Sequence, residues 1–384
     1  MALLLGLVAL AIWLTLLLAR GGFWLARQRD DRDAPPSPAQ WPRVVAVVPA
    51  RNEADVIARS IGSLLRQDYR GAFHVVLVDD GSTDGTAEAA RQAAASAGAE
   101  ARLEILPGAP LPAGWTGKLW ALQQGVRHAS AATPPDYILL TDADIGHTPD
   151  NLRALVSRAE SGRYALVSLM AELSCATLAE RFLIPAFVFF FQMLYPFAWV
   201  SRADGRTAAG AGGCMLTRRD ALEAAGGIAS IRTAIIDDCA LARRLKAQGP
   251  IWLGLTRRAR SLRPYGSIGE IGRMVSRSAY AQLGYSPLLL AGTLAGMALT
   301  YLVPPALALF GSGAAPLAGL AAWLLMALAF QPMLRFYRVS PLWGLALPAI
   351  GAAYSLFTLQ SALQVWRGRG GMWKGRAQAM AGGA

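Results

Sequence analysis

The sequence predicts an α/β domain that is attached to a membrane by apolar segments on both sides of it. Hydrophobic strands alternate with helical patterns between residues 43 and 280, an uncharged apolar run occupies residues 2–19, and three apolar stretches follow the domain. The chain has 384 residues, of which 54% are hydrophobic and only 16% are charged. Soluble domains carry roughly 25% charged residues, so this composition disfavours a purely soluble enzyme.

The chain is also basic, with 37 Lys and Arg residues against 25 Asp and Glu residues and a formal net charge of +12. Its high hydrophobicity excludes a disordered chain and disfavours a nucleic-acid-binding protein, so no nucleic-acid partner is expected. Basic residues close to membrane segments are attracted to anionic lipid headgroups. The composition therefore favours a membrane-embedded protein that faces anionic lipid.

Residues 1–20 are predicted to form an N-terminal transmembrane anchor. The apolar run at 2–19 would reach across about 27 Å as a helix, and arginines follow it instead of preceding it. A cleavable signal peptide, which is the alternative, has the opposite order of charge. Positive charge marks the cytoplasmic flank, so the C-terminal side of the anchor is expected in the cytoplasm. The charged, proline-rich residues 21–42 are predicted to be a linker.

The C-terminal membrane region is predicted at 287–363, and a basic tail follows at 364–384. Its three apolar stretches lie at about 287–310, 316–334 and 341–363. Three full crossings would leave the basic tail outside the cytoplasm, against the usual distribution of Lys and Arg. Either the last stretch is re-entrant or interfacial, or the tail is an exception.

Charged and polar residues follow three predicted strands of the domain. They are Arg51, Asn52 and Glu53 after RVVAVVPA, Asp79 and Asp80 at the end of FHVVLVDD, and Asp142 and Asp144 in YILLTDADI. Alternation of strands and helices predicts a parallel sheet, which binds ligands at the carboxyl ends of its strands. Two carboxylates one residue apart suit Mg²⁺ or Mn²⁺, which share their other positions with substrate phosphates. Taken alone, DAD fits a solvated acidic turn better.

The ordered set PARNE, VDDGSTD and DAD resembles the inverting family 2 glycosyltransferases of the GT-A fold. The resemblance covers residues 43–280 and continues through GAGGCMLTRRDALEAAGG at 210–227 and IIDDCALARRL at 235–245. The flanking apolar segments and the terminal WKGR resemble the membrane-bound, ceramide-glucosyltransferase-like branch. Within that branch, WTGKLWAL, MVSRSAY and YAQLGYS are similar to the bacterial hopene-associated glycosyltransferases. The resemblance implies a multi-pass protein of the bacterial inner membrane whose GT-A domain faces the cytoplasm.

This resemblance implies transfer of a sugar from a nucleoside-diphosphate donor, with a UDP-sugar as the leading candidate. Asp144 with Asp142 would hold Mg²⁺ or Mn²⁺, which stabilises the charge gained by the leaving nucleotide. One of Asp79 and Asp80 would recognise the base. Lys118 would contact the donor phosphates, although a surface lysine at a helix start is an equal alternative. The implied donor-binding residues are Arg51, Asn52, Glu53, Asp79, Asp80, Lys118, Asp142 and Arg277.

The acidic pair Asp237-Asp238 matches the position of the catalytic base in family 2 enzymes. Asp238 is the expected base, and Asp237 is its neighbour or substitute. Two adjacent carboxylates can raise one pKa toward the range that a general base needs. The alternative is structural, because aspartates are also favoured at the N-terminus of a helix.

The segment RMVSRSAY departs from the pattern of the processive family 2 synthases, which carry (Q/R)xxRW. Arg277 matches the arginine, but Ser278 replaces the tryptophan. This departure favours a single transfer over chain elongation. The implied acceptor is a membrane lipid, for which a hopanoid is a candidate. The second hypothesis is a non-catalytic membrane scaffold or lipid-binding partner of a hopanoid or lipid biosynthetic complex.

Residues 182–200 are apolar enough to resemble a transmembrane helix. A single crossing there would separate Asp142 and Asp144 from Asp238, and no shared site would form. This segment, within the predicted GT-A domain, is therefore expected to lie in the membrane interface or to dip in and return. A buried core helix is the alternative.

Overall fold

The computed structural model describes residues 1–131 and 133–368, and the backbone of residues 372–373 and 376–377. The chain divides into two compact units over these residues. The described parts of the helical unit are residues 1–27, 175–198 and 264–368, and those of the sheet unit are residues 28–131, 133–174 and 199–263. In the predicted basic tail, Arg369 and Lys374 lie outside the described residues.

The sheet unit contains a mixed sheet that has eight strands within the described residues. The strands are β1 (Val44–Ala50), β2 (Phe73–Asp79), β3 (Leu103–Pro107), β4 (Tyr137–Thr141), β5 (Ile145–His147), β6 (Leu166–Glu172), β7 (Cys214–Arg218) and β8 (Ile251–Ser261). Their order is β3-β2-β1-β4-β7-β6-β8-β5. A short antiparallel pair, β9 (Met372–Trp373) and β10 (Arg376–Ala377), is separate from this sheet.

The prediction of a parallel sheet is correct for β1 to β4 and wrong for β5 and β7. β1 pairs in parallel with β2 and β4, and β2 pairs in parallel with β3. β7 runs antiparallel to both β4 and β6, and β5 runs antiparallel to β8. The chain reaches β7 after leaving the sheet unit for residues 175–198. No single crossover helix therefore imposes a parallel direction on β7.

The helices are distributed over both units. They are α1 (Ala2–Ala19), α2 (Ile57–Leu65), α3 (Thr86–Ser96), α4 (Gly117–Ala129), α5 (Asn151–Gly162), α6 (Leu178–Leu194), α7 (Phe197–Val200), α8 (Arg219–Ala224), α9 (Asp237–Lys246), α10 (Ile268–Ser276), α11 (Ala279–Gln282), α12 (Pro287–Met297), α13 (Val303–Phe310), α14 (Ala315–Phe336) and α15 (Leu347–Trp366). Short 3₁₀ segments lie at Phe23–Leu25, Glu100–Arg102, Ile228–Ile231 and Pro341–Ala346, and a π segment lies at Ala298–Leu302.

The register of the parallel strands brings the predicted site segments to one edge of the sheet. Ala50 at the end of β1 pairs with Asp79 at the end of β2. Val47 of β1 pairs with Leu140 of β4, one residue before the end of that strand. The segments that follow β1, β2 and β4 therefore begin side by side.

Residues 28–33, which belong to the predicted linker 21–42, pack against the sheet. The Asp30 amide donates to the Leu255 carbonyl at 3.1 Å, and the Leu255 amide donates to the Gln28 carbonyl at 2.9 Å. The Asp30 carboxylate is buried and accepts from the Thr256 hydroxyl at 2.6 Å. The structure thus differs from a free linker here, because this segment extends the hydrogen bonding of β8.

Four helices of the described chain are long and apolar enough to cross a membrane. They are Ala2–Ala19, Pro287–Phe310, Ala315–Phe336 and Pro341–Trp366. They match the predicted N-terminal anchor and the three predicted C-terminal stretches. Within the helical unit, the Trp13 indole donates to the Thr300 carbonyl at 3.0 Å, which joins the N-terminal helix to a C-terminal one.

Helix α6 belongs to the helical unit, although the sequence placed residues 182–200 within a GT-A domain at 43–280. Its Phe189 ring packs against Phe330 with centroids 5.2 Å apart, and the Tyr354 hydroxyl donates to the Leu183 carbonyl at 2.9 Å. Residues 264–280 also belong to the helical unit. The boundaries differ because the aromatic side chains of α6 are buried against apolar helices.

Helices cover both faces of β1, so this strand is buried on both sides. Ile57 and Ile61 of α2 share one core cluster with Val48. On the other face, α4 approaches so closely that a β carbon at Gly125 would lie 2.4 Å from the nearest methyl of Val47. Gly125 therefore permits the contact between α4 and the sheet.

Replacing Gly125 by valine is expected to lower the free energy of unfolding by about 1–3 kcal/mol, because overpacking forces α4 away from β1. Denaturant unfolding of the purified protein, followed by tryptophan fluorescence, measures this loss. Arg127→Val on the exposed side of the same helix is the control and is expected to change stability by less than about 0.5 kcal/mol. Equal stability of the two variants would contradict the close approach.

Candidate active site

The loop after β1 is held in an uncommon backbone conformation at Asn52. This residue has φ +51°, in the left-handed region that asparagine tolerates better than most residues. The Asn52 side-chain oxygen accepts from the Thr83 backbone amide at 2.9 Å, and the Asn52 backbone amide donates to the Ser82 hydroxyl at 3.0 Å. The predicted donor-binding residue Asn52 thus joins the loops that follow β1 and β2.

A second set of hydrogen bonds fixes the same two loops. The Ala54 amide donates to Asp84 Oδ2 at 3.0 Å, and the Glu53 amide donates to the Thr86 hydroxyl at 2.9 Å. Sequence analysis did not single out Asp84 or Thr86. The polar run GSTDGT directly after β2 was the available signal, since short polar side chains favour side-chain-to-backbone hydrogen bonds in turns.

Asp79 and Asp80 have different surroundings. The Asp79 carboxylate is partly exposed and accepts from the Ser82 amide at 2.9 Å. The Asp80 side chain is only 2% exposed, and its carboxylate lies 3.7 Å from the Arg51 guanidinium, which also donates to the Asp80 carbonyl. Of the two candidates for base recognition, Asp79 is therefore the accessible one.

Lys118 connects two of the predicted site segments. Thr116 caps α4 by accepting from the Leu119 amide, so Lys118 lies in the first turn of that helix. Its ammonium lies 2.9 Å from Asp142 Oδ1 and 3.0 Å from Asp237 Oδ2. Its side chain is only 19% exposed, so Lys118 is not a solvated surface lysine. It joins DAD to the acidic pair.

The charge state of Lys118 follows from its carboxylate partners. Burial opposes the ammonium form, but the charges of Asp142 and Asp237 and their hydrogen bonds outweigh burial and raise the pKa of Lys118. Lys118 is therefore cationic throughout the neutral range. Asp142 and Asp237 lie 95 residues apart in the sequence (237 − 142) and share this one counter-ion.

Asp238 is held by two backbone amides at the start of α9. Its Oδ2 accepts from the Gly212 amide at 3.0 Å, and its Oδ1 accepts from the Cys239 amide at 2.7 Å. Burial, with the neighbouring charge of Asp237, raises the pKa of Asp238 to about 6, although Lys118 opposes this shift. Such a carboxylate is ionised at neutral pH and remains basic enough to accept a proton.

Gly212 belongs to the GAGG sequence and lies in contact with this arrangement. A β carbon at Gly212 would lie 3.4 Å from Lys118 Nζ and 3.6 Å from the Asp238 side chain. Both aspartates of the pair lie in the first turn of α9, where the helix dipole favours carboxylates. The geometry of Asp238 is therefore compatible both with a structural role at the start of the helix and with a role as the catalytic base.

A second ion cluster surrounds Asp144. Burial, followed by the charges of Asp142 and Glu53, raises the pKa of Asp144 to about 6, and Arg263 opposes this shift. Arg263 Nε lies 3.8 Å from Asp144 Oδ2, and the same guanidinium pairs with Glu53 and with Asp55. Sequence analysis missed Arg263, because it follows β8 in an arginine-rich stretch in which no residue stands out.

The residues around DAD fit a divalent cation. Among the described residues, no group of three or more His, Cys, Asp or Glu side chains is arranged to hold a metal by itself. Mg²⁺ requires fewer, because one or two carboxylates and the substrate phosphates complete its coordination. Burial, and after it the charges of Asp142 and Glu53, raise the pKa of Asp144, and a bound cation would offset these effects.

A small pocket, with a volume of about 20 Å³, opens beside the Lys118 cluster. Its polar wall contains the charged cluster and Gly212, and its other wall is apolar. The lining residues are Lys118, Asp142, Gly212, Asp237, Asp238, Thr141, Leu119, Leu122, Leu140, Met215, Ile228, Ile231 and Leu241. Asp142 of DAD and both aspartates of the acidic pair thus line one pocket.

Not every predicted residue belongs to this cluster. Arg277 is exposed and ends α10 in the helical unit. Its predicted contact with the donor diphosphate stays a prediction. Arg51, Asn52, Glu53, Asp79, Asp80, Lys118, Asp142, Asp144, Asp237 and Asp238 all belong to the sheet unit.

Two family models match this chain. The glycosyl transferase family 2 model matches residues 45–226, and the glycosyl transferase family group 2 model matches residues 137–356, which is more than half of the chain. The chain belongs to glycosyltransferase family 2. The sheet with its acidic strand ends is thus the GT-A domain of a glycosyltransferase, and the hypothesis of a non-catalytic scaffold finds no support.

Two solved structures are similar to this glycosyltransferase. A mannosyltransferase from Pyrobaculum calidifontis, in complex with GDP-Man and Mn²⁺, is 21% identical, with 96% of this chain and 99% of that chain covered and a TM-score of 0.58. Glucosyl-3-phosphoglycerate synthase from Mycobacterium tuberculosis, in complex with Mg²⁺ and UDP, is 19% identical, with 63% and 79% covered and a TM-score of 0.41. The fold shared with the mannosyltransferase covers nearly the whole chain.

The left-handed backbone at Asn52 predicts a difference between two substitutions. Both Asn52→Gly and Asn52→Ala remove the hydrogen bond to Thr83, but only alanine places a β carbon in the left-handed region. Asn52→Ala is therefore expected to be less stable than Asn52→Gly by about 1 kcal/mol. Denaturant unfolding of the glycosyltransferase variants measures the difference, and greater stability of Asn52→Ala would contradict this account.

Proposed function

We propose that this glycosyltransferase transfers one sugar, with inversion and with a divalent metal, from a nucleoside-diphosphate donor to a lipid alcohol of the membrane. The observation that carries the proposal is the ion cluster in which Lys118 contacts both Asp142 and Asp237. Asp142 and the acidic pair line the same pocket, which supports the proposal. A donor held by one and an acceptor hydroxyl held by the other would then be adjacent.

The donor side of the proposed site lies at the ends of β1, β2 and β4. Asp79 is the accessible carboxylate for hydrogen bonds to the base, and Arg51, Asn52 and Glu53 shape the loop beside it. A UDP-sugar is the donor that the sequence resemblance favours. The Pyrobaculum mannosyltransferase contains GDP-Man and Mn²⁺, which supports the same class of donor and metal here.

Asp238 is the proposed general base. The acceptor hydroxyl loses its proton to the Asp238 carboxylate while its oxygen attacks the anomeric carbon from the face opposite the leaving group, so the configuration inverts. The bond from the anomeric carbon to the diphosphate breaks, and the nucleoside diphosphate leaves with the bonding electrons. A metal bound by Asp144 and Asp142 would supply Lewis-acid stabilisation of that charge, and Lys118 adds a fixed positive charge beside it.

The lipid nature of the acceptor is supported by the helical unit. Asp142 precedes residues 175–198 and Asp237 follows them, yet both contact Lys118 within the sheet unit. The chain therefore returns to the same unit after α6, which supports an interfacial α6 that does not cross the membrane. Leu178 at its start is 73% exposed, as a residue in contact with lipid would be.

A hopanoid is the proposed acceptor, and the bacterial inner membrane is the proposed location. Both rest on the resemblance of WTGKLWAL and YAQLGYS to the hopene-associated branch, and Ser278 in place of tryptophan supports a single transfer. Arginines at the ends of apolar helices, such as Arg20 and Arg335, favour a sheet unit on the cytoplasmic side.

Membranes that contain the protein, incubated with Mn²⁺, a panel of labelled nucleotide sugars and either a hopanoid or a total lipid extract, test this proposal. A labelled lipid is expected with one donor. Asp238→Asn and Asp144→Ala are expected to reduce its formation at least about 100-fold, because each removes a group that acts on the reacting atoms.

Asp220→Asn is the matched control for these variants, because Asp220 is an exposed carboxylate of α8 that pairs with Arg218. Its activity is expected to equal that of the wild type. Absence of labelled lipid with every donor, or full activity of Asp144→Ala, would contradict the proposed reaction.

The raised pKa of Asp238 predicts the pH dependence of transfer. The base acts only when it is deprotonated, so at saturating Mn²⁺ the rate is expected to fall below about pH 6. Asp237→Asn removes the neighbouring charge that raises this pKa, so its acidic limb is expected at lower pH. Initial rates between pH 5 and 9 measure the acidic limbs of the wild type and of the variant. Well below the pKa of the base, the rate is expected to fall roughly tenfold per pH unit. A shift of the variant toward higher pH would exclude Asp238 as the base.

A further inference from the structure

Two cations of the sheet unit already contact the carboxylates that the proposed metal requires. Lys118 Nζ lies 2.9 Å from Asp142, and Arg263 Nε lies 3.8 Å from Asp144. Each cation also contacts another carboxylate, Asp237 for Lys118 and Glu53 for Arg263. The two aspartates of DAD are therefore divided between two separate positive groups.

These contacts set the charge balance of the site. The carboxylates of the two clusters are those of Glu53, Asp55, Asp142, Asp144, Asp237 and Asp238. Two fixed positive charges neutralise part of this negative charge without any ligand. A divalent cation that approaches DAD meets Lys118 and Arg263 at short range, and like charges at such distances repel strongly in a partly buried site.

The donor diphosphate changes this balance. It is an anion that attracts an ammonium and a guanidinium, and guanidinium groups bind phosphate oxygens in a bidentate manner. Lys118 has a flexible four-carbon side chain and lies in the first turn of α4. A change of partner from Asp142 to a phosphate would need side-chain rotation only.

We propose that Lys118 and Arg263 take the place of the metal in the free enzyme by pairing with Asp142 and Asp144. When the metal binds, both side chains would move to the donor diphosphate. This inference rests on the proposed metal-dependent function and deepens it. Lys118 and Arg263 are positioning residues for the metal. The consequence is that metal and donor bind cooperatively, since each removes an unfavourable interaction that the other would meet alone.

Titration of the purified full-length protein with Mn²⁺ alone tests this inference by calorimetry. Lys118→Met is expected to bind Mn²⁺ roughly tenfold more tightly than the wild type or better, because it removes a competing positive charge. Lys118→Arg retains the charge and is expected to resemble the wild type. Lys246→Met is the control, since Lys246 contacts the Val200 carbonyl outside the cluster.

The same titration in the presence of UDP or GDP measures the coupling, with protein-free titrations used to subtract the metal–nucleotide complex in solution. In the wild type, the nucleotide is expected to tighten Mn²⁺ binding about tenfold or more, and in Lys118→Met this factor is expected to shrink. Arg263→Gln is expected to act in the same direction. Arg260→Gln, which loses a pair with Glu172, is its control.

Lys118→Met leaves Asp142 and Asp237 without their shared counter-ion, so its folding is checked by thermal unfolding. The double variant Lys118→Met/Asp237→Asn keeps the local net charge and is expected to show the same tighter Mn²⁺ binding. Unchanged or weaker Mn²⁺ binding in both variants, with sugar transfer intact in the wild type, overturns this inference alone. A wild type that binds no Mn²⁺ even with UDP or GDP overturns the metal dependence of the proposed function as well.

Discussion

The ion bridge from Asp142 through Lys118 to Asp237 is the interaction on which the rest of the site depends. Asp142 follows β4 and Asp237 begins α9, and in between the chain leaves the sheet unit and returns to it. A charged contact with low exposure is costly to break on one side only, because it leaves a carboxylate without its counter-ion. The bridge therefore defines the relative position of the two segments that a transferase must bring together.

Around that bridge, the site contains features that folded proteins usually avoid, namely buried neighbouring carboxylates and a left-handed backbone conformation. Asp144 and Asp238 have raised pKa values because burial and neighbouring carboxylates oppose their ionised forms. Asn52 adopts a left-handed backbone conformation in the loop that follows β1. Each feature makes the folded state less stable at neutral pH than a neutral, relaxed loop would. Under the proposed function, ligands of opposite charge would remove the unfavourable interactions of the two carboxylates on binding.

The sequence predicted the parts of the site that follow buried strands, since hydrophobic runs that end in acids are visible locally. It did not predict Arg263 or Asp84, whose importance arises from contacts with residues distant in the chain or from turn geometry. The parallel arrangement was correct for β1 to β4 but wrong for β7, because strand direction there depends on a connection through another unit. Hydropathy predicted the positions of the apolar helices in the sequence. It did not predict that α6 belongs to the helical unit, since that depends on tertiary packing.

The contact between Gly125 and Val47 has a consequence beyond the stability of the core. Gly125 and Lys118 belong to the same rigid helix, so the spacing between α4 and the sheet also sets how far the Lys118 ammonium extends over the pocket. Displacements of about 1 Å are enough to impair catalysis. A change of one methyl group on the buried side of α4 would thus move the Lys118 ammonium relative to the pocket. Under the proposed function, an interior packing position would then influence turnover.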